Sequence, residues 1–232
     1  MSRASAHPPS KPAGRESLLL HLDAVCQWAE ALVDLRTAQA WSPAEDVDRD
    51  AFQRALEDSA SHLESTRQAL VAQGIDPPFD SLARAWALDE TDVAILRLAL
   101  APSLDSSFRK RIARYKDNVL LDYPDVDFLL AMLRDNRVDR MRLRERFLPG
   151  SPLLDAKLVH MSLPRDSGSE SLLAHEVRLP DRVVSFLMGH DHLDRTIAPF
   201  CRLDRPSCTL DRVVLDDTVV QRIATLTGPV LR

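Results

Sequence analysis

The chain has 232 residues, 45% of them hydrophobic and 28% charged, with a net charge of −5. An acidic balance of this kind excludes a whole-chain polyanion binder, and three scattered cysteines (Cys26, Cys201, Cys208) exclude a disulfide framework or zinc knuckle. Six glycines, no two spaced for G-x-G-x-x-G or G-x-x-x-x-G-K-[ST], exclude a phosphate cradle within this stretch.

Residues 1–15, MSRASAHPPSKPAGR, are polar and proline-rich and read as a disordered tail, with no signal peptide. No apolar run approaches the roughly 20 residues that span a bilayer, and a cytoplasmic location follows as the default for a chain without disulfides. Leu18, Leu22, Val25, Ala29 and Leu32 form one stripe of a helix over about Glu16–Ala40. Ser42-Pro43-Ala44-Glu45 has the pattern of a capping box and predicts a second helix from Pro43, with Phe52, Leu56, Ser59, Leu63, Thr66 and Leu70 as its stripe and Gly74 as its stop. Residues 43–64 carry seven acids and two arginines, so the outer face of this predicted helical hairpin (16–75) is acidic. A hairpin that buries one stripe per helix serves either as a packing element or as a partner-binding stalk.

Ile75-Asp76-Pro77-Pro78 is a stiff break and the expected domain boundary. Beyond it, a short helix is expected near Ser81–Ala87, and Asp89–Asp92 caps a helix that carries Val93, Leu96 and Leu100 up to Pro102. Further helices carry Phe108, Ile112 and Tyr115, then Val126, Leu129, Leu130 and Leu133 after Pro124, then span Arg137–Phe147 behind Asn136. Ser151-Pro152 starts one more turn. The period then changes: Leu158–Leu163 and Leu172–Leu179 read as strands of a hairpin, and Pro180–Met188 as a closing helix stopped by Gly189. Helices followed by a β-hairpin is the winged-helix order, so the expected fold is mainly α, with a helical hairpin (16–75) and a winged-helix-like domain (80–190). Residues 191–232 read as a connector with one amphipathic stretch, Asp216–Leu226.

A winged helix raises nucleic-acid binding first. Residues 105–148 hold eleven Arg or Lys against eight Asp or Glu, and Arg109, Lys110, Arg111 and Arg114 are the candidate contacts for a protein partner or for phosphate. Against DNA stands the helix that the sequence puts in the recognition position, Pro124–Arg134, whose first turn carries Asp125 and Asp127. The cluster His190-Asp191-His192, with Asp194, His160 or His175 as a third member, has weak metal-ligand spacing and reads more simply as a solvated loop past a helix end. No motif for nucleophilic catalysis is present, so no catalytic, cofactor-binding or metal-ligating residue is assigned.

Several of these segments together resemble a known family. Asp89–Leu100, the turn Phe147–Leu154 and the run Val177–Gly189 are similar to the variant winged-helix domain that precedes the ATPase module of a group of bacterial AAA+ ATPases. Several members of that group are encoded with phage-tail-like contractile injection systems. Val219–Leu226 followed by Thr227–Arg232 resembles the approach to the first strand and Walker A loop of such a module. The resemblance implies a non-catalytic front region that docks protein substrates or adaptors, with ATP and Mg²⁺ belonging to a module beyond Arg232 and homo-oligomers possible in the parent. The Walker A lysine, the Walker B carboxylates and an arginine finger have no counterpart in these residues. The alternative is a winged-helix DNA-binding regulator using the basic 109–116 cluster.

Overall fold

A computed structural model describes residues 12–41, 48–118, 122–163, 171–190, 199–201, 216, 218–219 and 221–222. Two units are distinguished, Met1–Asp191 and His192–Arg232. The first unit is mainly helical and holds the core. The expected amphipathic stretch in the second unit falls mostly outside the described residues, as do the predicted capping box Ser42–Glu45 and the tip of the predicted hairpin.

α1 runs from Pro12 to Trp41, so it takes up the last residues of the segment expected as a tail. The predicted stripe is buried, from Leu18 to Leu32, but so are Ala24, Val33, Leu35 and Ala38 on other sides of the helix. One stripe faces α2, while the rest packs on the helices that follow the break at 75–78. α1 is therefore a central element of the fold and not one arm of a free stalk. α2, Arg49–Ala72, buries Leu63 and Leu70 and keeps its other side in solvent. Its N-cap is Asp48, whose carboxylate accepts from the Ala51 N–H at 2.9 Å, and the start predicted at Pro43 lies outside the described residues. Asp48→Ala is expected to cost about 1 kcal/mol, read as a shift in the thermal midpoint, because one terminal N–H of α2 loses its acceptor.

Pro77 leads into α3 (Pro78–Trp86), which plants Phe79 in the core. Consequently one hydrophobic core runs across the segment expected to be a domain boundary: Leu22, Val25 and Leu70 belong to the same cluster as Ile95, Phe108 and Phe128. α4 (Glu90–Leu104) starts on the predicted capping box, with the Asp92 N–H donating to Asp89 and the Asp89 N–H donating to Asp92. It passes through Pro102 instead of stopping there, because the proline falls in the last turn and only one helical hydrogen bond is lost.

α5 (Ser106–Tyr115) buries Phe108 and Ile112. α6 (Val126–Leu133), α7 (Arg137–Leu143), a 3₁₀ turn (Arg144–Phe147) and α8 (Pro152–Asp155) come next. β1 (His160–Ser162) pairs antiparallel with β2 (Glu176–Arg178), with Met161 opposite Val177. Asp125 adds a one-residue bridge to Glu176, and the Val177 N–H donates to the Pro124 carbonyl at 2.8 Å. α9 (Asp181–Leu187) ends at Gly189, where φ is +74° and an added Cβ would lie 2.5 Å from Leu18 Cδ2.

That bridge corrects the placement of the recognition helix. A strand residue paired to the wing directly before α6 makes α6 the first helix of the helix-turn-helix and α7 the second. α6 buries Val126, Phe128, Leu129, Leu130, Ala131 and Met132, so it forms the floor of the domain and offers no reading face. Six of its eight positions are buried and apolar, which makes it a core helix although Asp127 of its first turn is exposed.

Candidate docking surfaces

The residues singled out from the sequence separate once folded. On α5, Arg111 turns inward toward α1: it donates to Asp34 Oδ1 at 2.5 Å and lies 3.3 Å from Glu30. Arg109 donates from Nε to the Pro102 carbonyl at 3.1 Å, and its guanidinium stacks over the Tyr123 ring at 5.2 Å. The other face of that contact set is Arg178, 4.0 Å from the same ring. Lys116 reaches Asp125 at 3.0 Å and Asp127 at 2.8 Å, so the two carboxylates at the start of α6 are matched within the fold. Only Lys110 and Arg114, one turn apart, stand exposed. The contiguous cluster read from the sequence thus becomes two solvent-facing charges beside three side chains engaged in the fold.

His190 is described, whereas Asp191, His192 and Asp194 lie outside the described residues. Among the described residues no group of three or more His, Cys, Asp or Glu is arranged to hold a metal ion.

The exposed basic surface lies elsewhere, on α7 and the turn after it. The three-residue turn Arg134–Asn136 leads into α7, where Asn136 Oδ1 caps the helix by accepting from the Asp139 N–H at 2.9 Å. Leu143 is driven into the core, and at 100° per residue this sends Val138, Met141 and Arg142 outward. Val138 and Met141 are 57% and 53% exposed. Arg137, Arg142 and Arg144 surround them and are exposed, and Leu148 extends the apolar patch past the turn. The signal was present in the sequence as a helix with two apolar directions, Val138 and Met141 in one and Leu143 in another. Read as a single basic helix, it was missed.

The surface is anchored from behind. Arg146 ties the 3₁₀ turn to the start of α4, with Nη1 2.9 Å from Asp92 and Nη2 2.5 Å from Asp89. Arg140 donates to the Arg134 carbonyl at 2.8 Å and fixes α7 against the end of α6. Held at both ends, this face behaves as a rigid platform.

A second concave surface lies on α1. Leu19, Leu22, Leu104 and Met188 form an apolar groove of about 360 Å³ whose rim carries Asp23, Glu30 and Asp105. Gln27 and Cys26 complete the lining. Burial, with Asp23 and Glu30 nearby, pushes the Cys26 thiol up to about 12, so it stays protonated and has no nucleophilic role at neutral pH. Partial burial also raises Glu30, against the pull of Arg111.

The charge of α2 is milder than the sequence suggests. Asp48 faces Arg54 at 3.6 Å, and Glu64 is clamped by Arg67 at 2.8 Å, which with Gln68 holds its carboxyl at about 2. No helix among the described residues is long and apolar enough to cross a membrane.

A family model described as "Winged helix domain, variant" matches residues 16–201. That span takes in α1 and α2, in keeping with their sharing a core with the helices beyond. Neither the curated proteins nor the solved structures compared with the chain gave a match.

Proposed function

The chain belongs to the variant winged helix domain family, and from that premise we propose that it is a non-catalytic protein-docking region, the part of an AAA+ ATPase that contacts substrates or adaptors for an ATP-driven module. The observation that carries the reading is the outward face of α7. It occupies the second-helix position of a helix-turn-helix, yet its centre is apolar, with Val138 and Met141 more than half exposed. A face that reads base edges offers polar and charged groups that hydrogen-bond in the major groove. Exposed aliphatic side chains flanked by arginines suit a protein partner, where apolar anchors and Arg supply most of the contact energy.

ATP and Mg²⁺ belong, in this reading, to the following module. Gly74, Gly150 and Gly189 each take a positive φ at turns that close helices, and none sits on a phosphate loop. No residue of this chain is therefore assigned to nucleotide. A link to a contractile injection system rests on the sequence resemblance, and placement in the cytoplasm rests on the few, scattered cysteines.

The rival is duplex DNA binding through Lys110 and Arg114 or through α7. Fluorescence anisotropy of a labelled duplex, titrated with the full chain across a salt series, separates the two. At physiological salt the docking reading expects binding no tighter than the non-specific range of about 1–100 µM. Tighter binding that falls steeply with salt and is lost in Arg142→Glu or Arg114→Glu would overturn it. A G-x-x-x-x-G-K-[ST] motif encoded shortly beyond Arg232 is the expected result for the ATPase assignment; its absence from the coding sequence removes that assignment.

A further inference from the structure

We infer that the chain associates with itself head to tail, the α7 face of one copy seating in the α1 groove of the next. The inference rests on the docking reading and names its partner. Two surfaces of one chain match in both apolar character and charge. α7 presents Val138 and Met141 between Arg137 and Arg142, the latter 3.0 Å from Asp139 of the same helix. The groove presents Leu19, Leu22, Leu104 and Met188 with Asp23 and Asp105, and with Glu30, which already lies 3.3 Å from Arg111. Leu19 is 49% exposed at its mouth, so the floor is open to an incoming side chain. A volume of about 360 Å³ is at the low end for small-molecule sites and suits a pair of aliphatic side chains.

One copy cannot satisfy both surfaces itself. α7 is fixed in the body of the domain by Leu143, by the Arg140 bond to the Arg134 carbonyl and, through the following turn, by Arg146 on Asp89 and Asp92. The groove is built on the N-terminal half of α1, the α4–α5 junction and the end of α9, and α7 lines none of it. The match is therefore between different patches on successive copies. Such a contact is heterologous and propagates into an open chain or closes into a ring. The apolar centre and the opposed charges together supply the attraction, and the charges also set register and raise the rate of encounter.

Sedimentation velocity on the full chain tests this. The expected result is a sedimentation coefficient that rises with protein concentration at low salt and returns to the monomer value at high salt. Asp23→Lys and Arg142→Glu are each expected to give monomers, since both residues are exposed and neither supports the core. An equimolar mixture of the two is the sharper measurement. The first variant keeps an intact α7 face, the second an intact groove, and the two reversed charges complement each other, so the mixture is expected to regain the concentration-dependent association that each variant alone lacks. A wild-type chain that stays monomeric at all concentrations and salts overturns the inference. So does an oligomer unchanged by Asp23→Lys, which puts the seat of α7 elsewhere. Either result leaves the protein-docking reading intact, because that reading falls only to tight, salt-dependent duplex binding.

Discussion

Replacing Arg146 with methionine is expected to lower the stability of the fold by about 3–5 kcal/mol at neutral pH, read as a fall in the denaturant midpoint. The cause is Asp92. Its side chain is 1% exposed, and its Oδ2 accepts from Arg146 and, at 3.2 Å, from the Asp89 N–H. Oδ1 is buried with no hydrogen-bond partner among the described residues. Take away the guanidinium and a buried carboxylate keeps one backbone donor, which is far too little to offset its desolvation. Methionine fills much of the arginine stem's volume, so the loss reports the charge more than a cavity.

The pH dependence checks that cause. Burial already raises the Asp92 carboxyl above the usual range. Without Arg146 it rises further, so the neutral form is reached at milder acidity. An acid with a raised pKa in the folded state becomes less destabilising as pH falls through that value. The gap between wild type and Arg146→Met is therefore expected to narrow between pH 7 and pH 5. Adding Asp92→Asn to the variant is expected to recover most of the loss at pH 7, because Asn retains the acceptor for the Asp89 N–H and carries no charge. A gap that is constant with pH, or no recovery in the double variant, would show that Arg146 acts through packing alone.

The second large effect lies at His21, which is 1% exposed in the middle of α1. The Thr66 hydroxyl donates to the Leu63 carbonyl at 2.9 Å, so it can only accept from His21 Nδ1, 3.0 Å away. This fixes the neutral tautomer with its proton on Nδ1. Nε2 is buried with no partner among the described residues, and the ring meets Phe79 edge to face at 6.5 Å. Arg97 faces the same pocket, its guanidinium 5.6 Å from the Phe79 ring and 5.8 Å from Trp28. Asp80, Arg67 and Glu64 complete the charges around it.

Burial first, and then the Arg97 charge, lowers His21 to about 4 from its ordinary 6.5. The folded state therefore binds this proton less readily than the unfolded chain. Its contribution is complete above pH 6.5 and is lost as pH falls toward 4. At 1.36 kcal/mol per unit, a shift of this size is worth on the order of 3 kcal/mol. The expected observation is an unfolding free energy that falls more steeply from pH 6.5 to pH 4.5 in the wild-type chain than in His21→Leu. Carboxylates held low in the folded state, Glu64 among them, add their loss mainly below about pH 4.5, and Asp92, Asp125 and Glu30, raised by burial, act in the opposite direction in both proteins, so the difference between the two slopes isolates the histidine. Equal slopes in the two proteins would dismiss it.

Which features the sequence announces depends on the range over which their causes act. Caps and stripes are local. Asp89 with Asp92, Asn136 with Asp139, and Ser151 with Leu154 are each within three residues, and all serve as read. Although Leu172–Ala174, read as part of the second strand, form a 3₁₀ turn and the strand begins at Glu176, the α1 and α2 stripes and the strand pair after Leu158 follow from side-chain period. So does the mainly helical class of the fold, and the family span confirms the winged helix that this order suggested.

The candidate surface was a different matter, because arginines look alike along a chain. Arg111 is spent on Asp34, 77 positions away, and Arg146 on Asp92, 54 positions away. Nothing in the run Arg109-Lys110-Arg111 separates the side chain that pairs with α1 from the one left in water. Acidic α2 suggested a docking face by count, while the ion pairs with Arg54 and Arg67 take two of its carboxylates.

Apolar periodicity and the scarcity of glycine by themselves determined that this chain is mainly helical and that these residues carry neither glycine-rich phosphate-loop pattern. Periodicity and caps set where the helices begin and which stripe each one buries. Only the tertiary structure decided that α1 is buried on more than one side, that α6 is floor and α7 is face, and which charges stay free. The physical reason is that local hydrogen bonds and apolar spacing are written within a few residues, whereas desolvated ion pairs and the second side of a helix are defined by neighbours that only folding brings near.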